Sequence, residues 1–236
     1  MTERTITHEF GGDRLESVLV LPDGEATATI IIVPTVAGVS ELELGFARDL
    51  AERGYAALVA DLWGRRFTMP DDRPAAFAQM NDLKADRAAL RDRLLDIVAV
   101  ARTETGHDEP RIAAIGFCFG GLCVLDLARS GVGIAGVASF HGLFDAPDLP
   151  RRKIAAKVVA YHGWNDPMVP PDAVVGLAAE LTEAGADWQI LGYGHVGHGF
   201  TNPNAHRLGV DGVAFDAAAA RRSWTALHDY LDELFA

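Results

Sequence analysis

Cysteine is scarce in this chain, with two residues out of 236. Cys118 and Cys123 are poorly placed to bridge one another and cannot form a metal site alone. A disulfide-built secreted scaffold is thereby excluded, and a reducing cytoplasm is the expected compartment. Positive charge is also in short supply: 21 Lys and Arg against 33 Asp and Glu leave a net charge of −12. That balance argues against nucleic acid or an anionic membrane as partner. No apolar run approaches the roughly 20 residues that span a bilayer. The opening MTERTITHEF is polar and charged, unlike a secretory signal. Internal repeats and low-complexity tracts are missing too. What is present is an ordinary globular mixture, 49% hydrophobic and 23% charged. It shows no compositional shift, so one α/β domain over 1–236 is expected.

Strand and helix patterns alternate along the chain. Residues 4–21 read as a pair of strands around Gly11-Gly12-Asp13, with Leu15, Val18 and Val20 in alternation. Ala28–Pro34 is continuously apolar and β-branched, the pattern of a strand buried on both faces of a parallel sheet. Ser40 with Glu43 three residues on forms a capping-box pattern. Leu42, Phe46 and Leu50 then recur at the helical period until Gly54. Further strands are expected at 56–61, 112–115, 134–140, 157–162 and 188–193. Helices are expected at about 82–102, after 121, at 171–184 and at 215–235. Residues 62–80, with Arg65, Arg66, Arg73 and two prolines, read as an irregular excursion, either part of an active site or solvated. Such alternation predicts a mostly parallel sheet covered by helices on both faces.

The stretch Arg111–Arg129, RIAAIGFCFGGLCVLDLAR, carries the strongest chemical signal. An apolar strand runs through Gly116-Phe117-Cys118-Phe119-Gly120-Gly121 into a helix. This is the setting of a G-x-S-x-G nucleophile elbow with cysteine in the serine position. A nucleophile at such a turn is held in a strained backbone and needs small neighbours, supplied by Gly116 and Gly120. Gly121 lets the helix approach the sheet. The helix amino terminus favours a thiolate. The Phe119 N–H, with that of Val36 in the loop after 28–34, would face an oxyanion. A buried structural cysteine, or a phosphate-binding turn, fits the same motif.

Partners for Cys118 should follow other strands, because chemistry in parallel sheets collects at strand carboxyl ends. After 157–162 comes Asp166, whose alternative role is a turn or helix-entry aspartate. After 188–193 come His195 and His198 among Gly194, Gly197 and Gly199. The order Cys118, Asp166, His198 is nucleophile, acid, base, each after an expected strand. A metal reading of His195, His198 and His206 lacks a completing carboxylate or cysteine, and the glycines oppose a helix, so no metal is expected.

The segments GFCFGG, GWNDPMVP, HGF at 198–200 and GYAALVADLWG at 54–64 resemble the dienelactone hydrolase family of the α/β-hydrolase superfamily. The resemblance implies an eight-stranded α/β-hydrolase fold and a Cys118-Asp166-His198 triad. It also implies a small lactone or ester substrate without a cofactor. It selects His198 over His195, because the family histidine is followed by a small residue and then Phe. Founding members carry a glutamate where this chain has Thr35, and an arginine where it has Asn202. Thr35, Asn202 and Arg73 are therefore the substrate-contact candidates. The expected activity is hydrolysis of lactones or activated enol esters through a thioester, by a monomer or small homo-oligomer. A binding or scaffold protein of the same fold, or a thioesterase or acyltransferase, stands as the alternative.

Overall fold

The computed structural model describes residues 1–236, and its order follows from where apolar runs and caps fall. The chain opens with a hairpin, β1 (Thr2–Phe10) and β2 (Asp13–Leu21), closed by Gly11 and Gly12 at φ 60° and 88°. These left-handed values suit glycine, and the pair lies where the sequence places it. β3 (Thr29–Val33), β4 (Ala56–Val59), β5 (Ile112–Phe117), β6 (Gly136–Phe140), β7 (Lys157–Gly163) and β8 (Trp188–Tyr193) complete one eight-stranded sheet. Its spatial order is β1-β2-β4-β3-β5-β6-β7-β8. β2 joins β4 antiparallel, and every pairing from β4 to β8 is parallel.

Six helices cover the sheet: α1 (Glu41–Glu52), α2 (Arg73–Ala85), α3 (Arg87–Thr105), α4 (Phe119–Arg129), α5 (Pro171–Glu183) and α6 (Ala217–Phe235). Alternate residues of β3 sort the two cores. Ile31 and Val33 join Met80, Leu94, Leu122 and Leu177 under α2 to α5. Ile30 and Ile32 join Leu44, Leu50, Leu227 and Leu231 under α1 and α6. Every residue of β3 and β5 is buried, which is why they read as unbroken apolar runs. No helix is long and apolar enough to cross a membrane.

Two expectations are corrected. Residues 62–80 are not irregular throughout, because α2 begins at Arg73 with Pro74 in its first turn. Nor is there a single helix over 82–102. Asp86, at φ −123° and ψ 81°, breaks the helical path, and its side chain accepts from the Ala89 N–H at 2.9 Å to cap α3. An N-cap aspartate inside an apolar-periodic stretch splits it into two helices.

The glycines around the β5–α4 turn are where backbones touch. A Cβ on Gly120 would lie 2.1 Å from the Val33 carbonyl oxygen and 2.5 Å from that of Pro34. A Cβ on Gly116 would lie 2.0 Å from the Gly120 oxygen. Both obstacles are backbone and cannot rotate away. Gly120→Ala is expected to cost about 3 kcal/mol or more, at the upper end for overpacking. Thermal unfolding should then fall by about 6–12 °C for a chain of this size. Gly45→Ala, on α1 with nothing within 4 Å of its Cβ, is the control and should unfold no lower than wild type.

Candidate active site

Cys118 is the single residue between β5 and α4, with φ 55° and ψ −113°. A non-glycine residue pays about 1–3 kcal/mol for such a conformation and keeps it only when its surroundings enforce it. Here the Cys118 N–H is shared between the Phe140 oxygen at 3.0 Å and His141 Nδ1 at 3.2 Å. Its carbonyl accepts from the Gly121 and Leu122 N–H groups at 3.0 and 3.4 Å. Both cysteines are free, and Cys118 is the partly exposed one. Cys123 is buried, and that burial pushes its thiol well above the ordinary range.

Asp166 and His198 meet at the carboxyl ends of β7 and β8. His198 Nδ1 lies 2.7 Å from Asp166 Oδ2, and both side chains are buried. Asp166 Oδ1 accepts from the Met168 N–H at 2.8 Å, which fixes the carboxylate. Nε2 of His198 is therefore directed away from the carboxylate, buried, with no well-aligned partner. Burial alone would lower the pKa of this imidazole. The charge on Cys118 and the hydrogen bond to Asp166 outweigh burial and raise it to about 10. His198 itself is anchored by its N–H to the Gly212 oxygen and by the Ala214 N–H to its own oxygen. His195, by contrast, is exposed at φ 64°. His206 lies in a short turn, and no group of three His, Cys, Asp or Glu side chains converges to hold a metal.

The loop after β3 consumes its backbone donors selectively. The Thr35 N–H donates to Glu43 Oε1 at 3.2 Å, that of Ala37 to Thr35 Oγ1 at 3.3 Å, and that of Gly38 to the Thr35 oxygen at 3.0 Å. The Val36 N–H between them has no acceptor. Phe119 opens α4, so its N–H has no intrahelical partner either. These are the two donors the sequence nominates for an oxyanion.

Glu43 was legible only as half of a capping pattern. Its carboxyl is wholly buried and receives the Ser40 hydroxyl at 2.5 Å as well as the Thr35 N–H. Burial raises its pKa. A neutral acid would be mimicked by an amide, so Glu43→Gln should keep activity within about threefold. Glu43→Leu strands the Thr35 N–H and should cost about 1–3 kcal/mol with loss of turnover. A raised folded pKa contributes stability below the ordinary carboxylate value that is lost as pH rises through the folded one. Wild-type stability should therefore decline toward alkaline pH relative to Glu43→Gln, measured by denaturant titration at several pH values.

The substrate-contact candidates are not brought together as free side chains. Thr35 Oγ1 caps its own loop, and Asn202 Oδ1 accepts from the Asn204 N–H at 2.9 Å. Arg73 Nη1 donates to the Leu208 oxygen at 2.8 Å and its guanidinium covers Phe77, tying α2 to the loop beyond His198. Sequence reasoning also missed His141, which directly follows β6 and contacts Cys118. A cavity of about 700 Å³ opens at the carboxyl end of α4, remote from Cys118. Its Arg129 is paired with Asp126 and Glu180.

With this geometry in place, the likenesses to known proteins can be stated. A model of the dienelactone hydrolase family matches residues 15–235. A Caenorhabditis elegans protein of uncharacterised function is 36% identical over 150 residues, covering 62% of this chain and 95% of that protein. A solved dienelactone hydrolase-like promiscuous phosphotriesterase from metagenomic libraries superposes with a TM-score of 0.91 at 30% identity, covering 100% of this chain and 99% of that one. The structure named m3DLH gives a TM-score of 0.92 at 34% identity over 100% of this chain and 99% of its own. A strained cysteine after β5, a buried carboxyl–imidazole pair after β7 and β8, and a family match over nearly the whole length agree: this chain is a hydrolase of the dienelactone hydrolase family.

Proposed function

We propose that the chain hydrolyses small lactones or activated enol esters with Cys118 as nucleophile, His198 as acid and base, and Asp166 as its orienting carboxylate. One observation supports this reading: the 2.7 Å Asp166–His198 contact favours the Nδ1–H tautomer and leaves Nε2 without another partner. The Cys118 thiolate attacks the carbonyl carbon, and the resulting oxyanion takes the Val36 and Phe119 N–H groups. The C–O bond breaks, the leaving oxygen takes the proton from His198 Nε2, and a thioester remains. Neutral His198 then removes a proton from water, the hydroxide adds to the thioester, and the thiolate departs. An enolate is a good leaving group from a thiolate adduct, which is why cyclic enol esters suit a cysteine.

The test is a rapid acid quench during turnover of enol lactones and aryl esters, followed by peptide mass spectrometry. An acyl group on Cys118 and none on buried Cys123 is expected. Turnover with no adduct at any time, and no inactivation by iodoacetamide, would defeat the reading. An aryl phosphotriester belongs in the same panel because the metagenomic relative is named for that activity, and a sulfur can attack phosphorus from the same position. Persistent phosphorylation of Cys118 would add that substrate class. Two free thiols and no membrane-crossing helix are consistent with action on a small molecule in the cytoplasm.

A further inference from the structure

His141 is the side chain most closely engaged with Cys118 to which the hydrolytic scheme gives no task. It leaves the end of β6 at φ 38°, with its N–H donated to the Tyr161 oxygen at 2.8 Å. A non-glycine residue held in this region is enforced by its neighbours, as at Cys118. The residue is 1% exposed, so both ring nitrogens must be satisfied inside the protein. Nδ1 accepts from the Cys118 N–H at 3.2 Å. The ring proton therefore sits on Nε2 and is donated to Thr201 Oγ1 at 2.8 Å. Thr201 is buried three residues beyond His198, on the same loop. The His141 ring also packs edgewise on His198, with centroids 5.2 Å apart at 63°, and on Phe200 at 5.1 Å and 83°.

We infer that His141 is a positioning residue: one neutral imidazole grips the backbone of the nucleophile through Nδ1 and the loop of the catalytic histidine through Nε2. This rests on the reading of Cys118 and His198 as nucleophile and base. It accounts for two features that the triad alone does not. The Cys118 N–H is occupied twice, so an oxyanion is left to Val36 and Phe119, whose N–H groups have no acceptor. The reach from the sulfur to Nε2 is set by a side-chain brace, since the Cys118 and His198 loops come from β5 and β8, strands separated by β6 and β7. Burial and the facing His198 both hold the His141 ring uncharged. A second cation beside the His198 imidazolium is thus avoided.

The two arms of the brace can be cut separately. His141→Asn places Oδ1 near the Nδ1 position and keeps the acceptor for Cys118. His141→Gln places an N–H donor near the Nε2 position and keeps the bond to Thr201. His141→Phe removes both, and Thr201→Val removes the far partner. Each variant is measured for kcat, KM, melting temperature and the pH profile of iodoacetamide alkylation at Cys118. His141→Phe should lose about 100-fold in kcat, the scale of a small misplacement of reacting groups, with KM within about threefold. Its alkylation profile should move to higher pH as the sulfur loses a well-placed imidazolium. Asn and Gln should each restore part of the loss. Combining His141→Asn with Thr201→Val should cost no more than either alone, because both cut one bond.

A packing-only role would lower the melting temperature while leaving the alkylation profile unmoved, and that result overturns the inference. So would full additivity of the His141→Asn and Thr201→Val losses. Should His141→Phe fail to fold, the Asn, Gln and Val variants decide alone. If Cys118→Ala were to retain turnover, the triad reading itself would fall. If that variant is inactive while the brace variants behave as wild type, only the brace falls.

Discussion

Cys118→Ala is expected to lower kcat/KM for enol lactones or aryl esters by about four orders of magnitude or more, the usual cost of deleting a triad nucleophile. What survives should be the small acceleration that binding and the Val36 and Phe119 N–H groups supply on their own. The folded state should not suffer. Alanine at φ 55° carries the same backbone strain as cysteine, and the backbone bonds to Phe140, His141, Gly121 and Leu122 remain available. Cys118→Gly makes the trade-off visible: equally inactive, it should be more stable by about 1 kcal/mol through release of that strain. Cys118→Ser is more informative still. The raised pKa of His198 owes much to charge on Cys118, and a hydroxyl supplies none at neutral pH. The imidazole signal of His198, followed by NMR, should therefore titrate at markedly lower pH in the serine variant than in wild type. Wild-type turnover by Cys118→Ala, with an unchanged His198 titration in Cys118→Ser, would remove the sulfur from the mechanism.

Much of this arrangement can be read from the chain before folding, and the reasons are local. β3 and β5 are buried on both faces, so their apolar runs carry no ambiguity about facing. The elbow is legible because backbone contacts as short as those at Gly116 and Gly120 admit one residue type only. Asp166 and His198 are found by asking which polar residues follow each strand. The same question asked of β6 yields His141, the first residue after Phe140, so that residue was within reach of the reasoning that missed it. Glu43 was not within reach. Its local spacing from Ser40 says cap, whereas its bond to the Thr35 N–H depends on how α1 packs beneath the loop after β3. The split between α2 and α3 lay hidden for a related reason. Apolar periodicity continues across Asp86, and only the side chain's choice to cap Ala89 reveals the break. Thr35 and Asn202 show the limit of transfer by position, since both side chains serve their own turns here.

Asp166→Asn tests whether the imidazole, rather than the thiol alone, has been prepared for the reaction. The carboxylate accepts from the His198 ring at 2.7 Å and from the Met168 N–H at 2.8 Å, one through each oxygen. An amide has a single oxygen for those two donors. If the oxygen stays with Met168, the NH2 group faces Nδ1 and forces the ring proton to Nε2. The nitrogen facing the sulfur then cannot accept a proton, which is the tautomer error that costs about 10⁴ in a serine triad. A thiol is more acidic than a hydroxyl and leans less on its base, so a loss of about 10³ in kcat/KM is expected here. The pH dependence should separate this from simple loosening. In the wild type, the sulfur and Asp166 raise the imidazole pKa to about 10, so the alkaline limb of acylation is expected there. With the carboxylate gone, burial is opposed by the sulfur alone, and that limb should move downward into the neutral range. A variant that loses activity uniformly across pH, with its alkaline limb unmoved, would mean that Asp166 acts as a structural support for the loop after β7 and leaves the protonation of His198 to other groups.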